Sequence, residues 1–185
     1  MSRIISAVLV ICVLCGCAHS EKEIEQAFSL REKLLSANGC TFKSTISADY
    51  QSVYYTFTMS CKVDKTGMVL FEVLEPDSIR GITGCVSATE GNLTFDDQVL
   101  LFATLPEGQI TPVSAPWLFI NALRSGYIKG CSKEKDGYTL QIDDSYAEDA
   151  VLLNIQIADE MPTYVEIIWK NRRVMSLEVE DFSFL

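Results

Sequence analysis

A regular alternation of apolar and polar residues is the feature that most constrains the fold of this chain. It begins at Cys40 and returns in short segments as far as Phe184, with turn-forming residues between them. A period of two is typical of strands with one buried face. The connections are too short for parallel crossovers, so neighbouring strands must be antiparallel. The sequence predicts about ten strands in one antiparallel sheet.

Most of the predicted strands are bounded by clear turn residues, such as Pro76 after Met68 to Glu75. In the last strand the apolar residues change parity between Val179 and Phe182, which predicts a bulge near Glu180 and Asp181. Besides the first hairpin, the predicted strands are Met68 to Glu75, Ile79 to Thr89, Leu93 to Phe95, Gln98 to Leu105, Tyr127 to Ser132, Tyr138 to Asp143, Ala150 to Ala158, Thr163 to Lys170 and Arg173 to Phe184.

The first hairpin gives a prediction of register. If Tyr50 and Gln51 form its loop, Ile46 faces Tyr55 and Cys40 faces Cys61. A slip of one residue would turn one apolar set to the wrong face.

Two helices are predicted. Ser20 and Glu23 form a capping box before an apolar stripe that Arg31 interrupts. The second helix, Ala115 to Ser125, follows two prolines and carries four consecutive large apolar residues from Trp117 to Ile120. Such a helix is either buried in a filled core or covers an apolar cavity as a lid, and both readings remain open.

The order of one helix, several strands, a proline-flanked helix and further strands resembles the LolA/LolB-like family of bacterial lipoprotein carriers. The most similar pieces are the strand ending at Pro76-Asp77-Ser78-Ile79-Arg80-Gly81 and the proline-rich entry to the Trp117 helix. The resemblance implies a mainly β (α+β) fold: a curved antiparallel half-barrel of ten to eleven strands, with an N-terminal helix and a central lid helix over its concave face. Family members hold lipids or acyl chains there, whereas relatives such as the spore-germination lipoprotein GerS act through a protein partner.

The N-terminus carries an export pattern. Arg3 precedes an apolar run from Ile4 to Leu14, which is shorter than the roughly 20 residues of a membrane-spanning helix. The closing Leu14-Cys15-Gly16-Cys17 resembles the lipobox of bacterial lipoproteins, which implies lipidation of Cys17 with acyl chains such as palmitate. We expect a signal peptide over residues 1–16, a lipidated tether over 17–22 and one domain over 23–185. A secretory signal without lipid and a cytosolic apolar helix are the alternatives.

The net charge of the protein disfavours two classes of binding partner. The formal net charge of −10 argues against nucleic acid and against docking on anionic headgroups. The lipobox resemblance, and not the charge, implies a lipid-anchored protein on the extracytoplasmic face of a bacterial cell membrane.

Catalysis finds little support in the sequence. The single histidine, His19, falls in the expected tether, and neither a Gly-x-Ser-x-Gly motif nor a glycine-rich phosphate loop is present. The acidic pairs Asp96-Asp97, Asp143-Asp144 and Glu148-Asp149 fall at turns, where solvated charge is the ordinary outcome. We expect no enzyme activity, no cofactor and no metal.

Four cysteines of the expected domain allow three disulfide pairings. The hairpin register selects Cys40 with Cys61, which leaves Cys85 with Cys131. The alternative is that all four are reduced.

Two functions remain open: a carrier of an apolar ligand, or a structural or regulatory lipoprotein that binds an envelope protein. A ligand site should be concave and mostly apolar. The candidates to line it are Phe57, Phe71, Leu101, Trp117, Phe119 and Ile120.

Overall fold

The computed structural model describes residues 18–50, 53–95, 98–103, 110–147 and 150–185. Within them, two α-helices and eleven strands follow one another. The helices are α1, Ala18–Ser36, and α2, Ala115–Ser125, with a 3-10 turn at Pro112–Ser114 before α2. The strands are β1 Gly39–Asp49, β2 Tyr54–Asp64, β3 Val69–Glu75, β4 Thr83–Val86, β5 Glu90–Phe95, β6 Gln98–Ala103, β7 Tyr127–Glu134, β8 Gly137–Asp143, β9 Leu152–Ala158, β10 Met161–Trp169 and β11 Arg172–Phe184.

The strands form one unclosed antiparallel sheet in the order β6-β5-β4-β3-β2-β1-β11-β10-β9-β8-β7. The first and last strands of the chain pair at its centre, where Cys40 faces Phe184 and Ala48 faces Met175. Strands β6 and β7 form the two outer edges. The predicted half-barrel with two helices is confirmed.

The expected signal peptide and lipidation site lie outside the described residues. Residues 1–17, which include the expected signal peptide and Cys17, have no described structure. Neither described helix combines the length and the apolar character that a membrane span needs. The described part of α1 begins at Ala18, two residues before the predicted cap at Ser20.

The predicted register of the first hairpin is wrong by two residues. Ile46 pairs with Phe57, and Cys40 pairs with Val63. The reason is the length of the connection: the strands end at Asp49 and resume at Tyr54, so four residues join them instead of two. A shift of two preserves parity, and the apolar face is therefore the one predicted.

The structure confirms the bulge and shortens one strand. Thr41 faces Ser183 while Lys43 faces Glu180, so an extra residue interrupts β11. Asp181 has a φ of 54°, as expected of a residue forced out of the ladder. The strand predicted from Ile79 to Thr89 is instead a turn followed by β4, because Gly81, at φ +83°, sits in a conformation that ends the turn.

Both helices lie against the buried face of the sheet. Helix α1 packs against β7 and α2 and buries Ala27, Leu30 and Leu34. Arg31 interrupts this stripe for a reason: its Nε donates to the carbonyl oxygen of Leu123 at 2.6 Å, and its Nη2 donates to that of Gly126 at 2.8 Å. The guanidinium thus donates hydrogen bonds to carbonyl groups at the C-terminus of α2, where the helix itself supplies no donors.

Candidate ligand-binding cavity

A cavity of about 940 Å³ lies on the buried side of the sheet. One wall comes from β2 to β5, the other from the end of β10 and the start of β11, and the segment Ile110 to Val113 closes it toward α2. No residue of α2 itself is among those that line it. The lining residues are Tyr50, Val53, Tyr55, Phe57, Val73, Ile79, Ile82, Leu93, Ile110, Thr111, Pro112, Val113, Trp169, Lys170, Arg172 and Val174.

Most of this lining is aliphatic or aromatic, and two of its hydroxyl groups, those of Tyr50 and Thr111, are already hydrogen-bonded. The Tyr50 hydroxyl donates to the carbonyl oxygen of Ile110, and the Thr111 hydroxyl is 2.5 Å from that of Ser114. The rings of Tyr50 and Tyr55 meet edge to face at 6.2 Å. Burial, followed by the neighbouring Tyr55, raises the pKa of Tyr50 above its ordinary value, so this hydroxyl stays neutral at physiological pH.

Two cations stand at the cavity wall where β10 turns into β11. Trp169 pairs with Arg172 across the hairpin, and Lys170 and Asn171 form the two-residue turn, with φ angles of 49° and 59°. Positive φ at both central residues is typical of a type I′ hairpin turn. The Lys170 ammonium lies 4.2 Å from the centre of the Trp169 ring, a cation–π contact. Arg172 donates to the backbone carbonyl of Asp49.

The structure places the six predicted cavity residues in three different environments. Phe57 lines the cavity and is 8% exposed. Phe71, Trp117, Phe119 and Ile120 belong to the buried core, where the Phe119 ring meets the Phe42 ring edge to face at 5.6 Å. Leu101 lies on the edge strand β6 and is 67% exposed. Side chains therefore fill the space between the central helix and the sheet, which agrees with the burial reading. The cavity lies beyond the N-terminal end of this helix.

The predicted disulfides are absent from the described structure. Cys40 and Cys61 are free thiols, because the register that set them opposite each other is wrong; they are diagonal neighbours across β1 and β2. Cys85 is also a free thiol, and seven strands separate β4, which carries it, from β7, which carries Cys131. Burial raises the pKa of Cys40 to about 12. Burial, followed by the nearby Cys40, also raises that of Cys61.

Residues missed by sequence reasoning lie on both walls of the cavity. Trp169 and Val174 flank the hairpin turn, and Ile82 and Leu93 lie on or beside the short strands opposite. The alternation of Val165, Ile167 and Trp169 indicated that Trp169 points inward. Nothing in that pattern distinguishes an inward residue in a filled core from one beside a cavity.

The acidic pairs provide no assembled metal site among the described residues. The structure describes Asp143 and Asp144, but not Asp96-Asp97 or Glu148-Asp149. Asp143 pairs with Lys129 at 3.2 Å, and Asp144 accepts a hydrogen bond from the Val151 amide at 2.8 Å. In the described part of the chain, no three His, Cys, Asp or Glu residues converge to hold a metal ion.

An unclosed antiparallel sheet with helices on its inner face and an apolar cavity beside them is a half-barrel architecture. No protein-family model matches the sequence. No curated protein matches it either.

Solved structures do share the fold. A DUF1329 family protein from Desulfovibrio piger is similar over 89% of this chain and 92% of its own, with 6% identity and a TM-score of 0.51. A LolA superfamily protein from Nitrosomonas europaea is similar over 86% of this chain and 93% of its own, with 10% identity and a TM-score of 0.46.

A chain from the complex of the CwlD amidase with the GerS lipoprotein of Clostridioides difficile is similar over 90% of this chain and 96% of its own, with 15% identity and a TM-score of 0.42. The structures to which this chain is similar thus include a LolA superfamily protein, the family that the sequence resemblance named. At these identities the similarity concerns the fold alone.

Proposed function

We propose that this protein is a lipid-anchored extracytoplasmic binding protein that holds an apolar ligand, a lipid or an acyl chain, in the cavity. The cavity itself carries the proposal: its volume of about 940 Å³ and its mostly aliphatic and aromatic lining match a site for a small apolar molecule. A packed core leaves few voids larger than a water molecule, so a space of this size is more than an ordinary packing defect and can accommodate a ligand.

The energetics support an acyl chain as that occupant. Each methylene taken from water contributes about 0.8 kcal/mol, so burial of a chain of about twelve carbons contributes on the order of 10 kcal/mol before the costs of association. Few specific polar contacts are then needed for measurable affinity.

The cavity can be tested by filling it. Ile82 lines the cavity and is partly buried, so Ile82→Trp should place an indole in the space that the ligand uses. We expect native mass spectrometry of protein purified without detergent to find a co-purifying lipid mass on the parent protein and not on this variant. Leu70→Trp is the matched control, because Leu70 lies on the outward face of the neighbouring strand β3 and is 43% exposed. A parent protein without any bound lipid, and without uptake of a fluorescent fatty acid, would contradict the proposal.

The lipid anchor is a separate part of the proposal. It rests on the lipobox-like sequence ending at Cys17. We expect Cys17→Ser to leave the precursor unprocessed and to move the protein out of the lipid-modified fraction. A Cys12→Ser variant, which changes a cysteine inside the apolar run, should be processed normally. Normal processing and membrane retention of Cys17→Ser would contradict the anchor.

A protein partner is the second candidate function, and the sheet edge favours it. Phe95, Val99, Leu100 and Leu101 are all more than half exposed at the edge formed by β5 and β6. Apolar residues on both faces of an edge strand are typical of surfaces that pair with another chain. Photo-crosslinking from β6 in cells, lost in Leu100→Lys and kept in Leu70→Lys, would support this function. If no lipid co-purified, partner binding would be the remaining candidate function.

A further inference from the structure

The charged groups of the cavity are all of one sign. Among the described residues that line it, Lys170 and Arg172 are the only lysine or arginine residues, and none is an aspartate or glutamate. The protein as a whole has a formal net charge of −10, so two cations and no anion are the reverse of its average surface. The cavity wall is therefore a local positive site on an acidic protein.

The backbone turn and the Trp169 ring position Lys170, which has no anionic partner among the described residues. The tight turn fixes its backbone, and the Trp169 ring lies beneath its ammonium group at 4.2 Å. Among the described residues it forms no ion pair, unlike Lys33, Lys43 and Lys129. A cation–π contact uses one face of the ammonium and leaves donors free for a ligand.

Arg172 is only partly neutralised. Its Nη2 lies 3.8 Å from the carboxylate of Asp49, at the long end of the range for an ion pair, and donates to the backbone carbonyl of the same residue. A guanidinium has five N–H donors in a planar fork, a geometry that suits carboxylate and phosphate oxygens. The contact with Asp49 fixes the orientation of Arg172 and leaves other donors of the fork available.

Two of the neutral hydroxyl groups that line the cavity are already hydrogen-bonded within the protein. The hydroxyls of Tyr50 and Thr111 are engaged with Ile110 and Ser114 within the protein. We propose that the cavity selects amphiphiles with an anionic head group, which Lys170 and Arg172 bind while the apolar chain fills the space beyond. This inference rests on the proposed function, because it concerns the head group of the ligand that the cavity holds.

The test compares two probes that differ only in charge: a fluorescent twelve-carbon fatty acid and the matching fluorescent alcohol. We expect the parent protein to bind the acid about tenfold more tightly, the usual effect of hydrogen bonds to one charged group. Lys170→Gln should lose most of this preference and leave binding of the alcohol unchanged. Lys62→Gln, on the exposed outward face of β2, is the control and should change neither.

Trp169 supplies an independent readout of where the probes bind. The protein has two tryptophans, so Trp117→Phe leaves Trp169 at the cavity wall as the only one. Quenching of its fluorescence by both probes reports entry into the cavity. Entry of both with equal affinity would overturn the head-group inference and keep the proposed function. Entry of neither would overturn both. Loss of acid and alcohol binding together in a folded Lys170→Gln protein would show that Lys170 acts by shape and not by charge, which also overturns the inference.

Discussion

The difference between a filled core and a cavity predicts different behaviour for two buried phenylalanines, Phe119 of α2 and Phe57 of β2. Phe119 is fully buried, and its ring contacts those of Phe42 and Phe182 at 5.6 and 6.4 Å. Phe57 is almost as buried, at 8% exposure, but it borders the cavity. Truncation of each to alanine removes the same atoms from different surroundings.

The expected magnitudes follow from what each ring leaves behind. Phe119→Ala should open a new void in packed surroundings and cost about 3–5 kcal/mol, which includes the lost aromatic contacts. Phe57→Ala enlarges a space that already exists, so it should cost only the transfer contribution on the packed side, about 1–2 kcal/mol. With an m-value of about 2 kcal/mol/M, the urea midpoints should fall by about 2 M and by less than 1 M, respectively.

Urea unfolding followed by circular dichroism measures both, together with uptake of the fluorescent fatty acid. Phe119→Ala should bind the probe whenever it is folded, whereas Phe57→Ala should change the affinity. Equal destabilisation by the two substitutions, with unchanged binding by Phe57→Ala, would mean that the cavity is filled in solution.

Three further predictions concern single interactions. Arg31→Met should lower the free energy of unfolding by about 1–3 kcal/mol, because the carbonyl groups at the end of α2 lose their donors. Ser44→Ala should raise the melting temperature, since the buried Ser44 hydroxyl has no hydrogen-bond partner among the described residues and its desolvation costs about 1 kcal/mol. Burial keeps the pKa of the Cys40 and Cys61 thiols in the folded protein well above about 8.5, the value at which unfolded thiols ionise. Both thiols should therefore resist thiol reagents in the native protein at pH 8. The free energy of unfolding should fall as the pH rises from about 8.5, because only the unfolded state then loses these protons.

Each of these predictions has a control within the same chain. Lys33→Met removes an exposed ion pair with Glu160 and should cost less than about 1 kcal/mol. Ser60→Ala, on the exposed face of β2, should leave the melting temperature unchanged. Cys85, which is only partly buried, should react before Cys40 or Cys61. A loss of unfolding free energy in Lys33→Met as large as that in Arg31→Met would contradict the first argument. A lower melting temperature of Ser44→Ala would contradict the second, and rapid labelling of Cys61 the third.

The sequence predicts what depends on neighbouring residues along one strand. The bulge at Asp181 is such a case, because the change of parity between Val179 and Phe182 leaves no other way to keep both sets inside. The hairpin register is different, because a shift of two residues leaves the alternation unchanged. The loop between Asp49 and Tyr54 sets the register, and the alternation does not predict the conformation of that loop.

The location of the cavity could not be predicted from the sequence. Phe57 and Phe119 are both inward residues in apolar segments, and only the position at which α2 crosses the sheet decides which one has a neighbour. The role of Arg31 is hidden for the same reason, since its acceptors lie 91 to 95 residues away. Contacts between distant segments depend on packing, which local patterns do not encode.

The pairing of β1 with β11 also sets the order in which the molecule can be completed. Cys40 and Phe184 are partners although 144 positions separate them, so the centre of the sheet cannot form until the last described strand is present. A chain that crosses a membrane N-terminus first would expose the free edge of β1 throughout its passage, and loop closure over this distance is slow. The proposed export should therefore depend on a holding chaperone, and truncations within β11 should be degraded although β1 to β10 are intact.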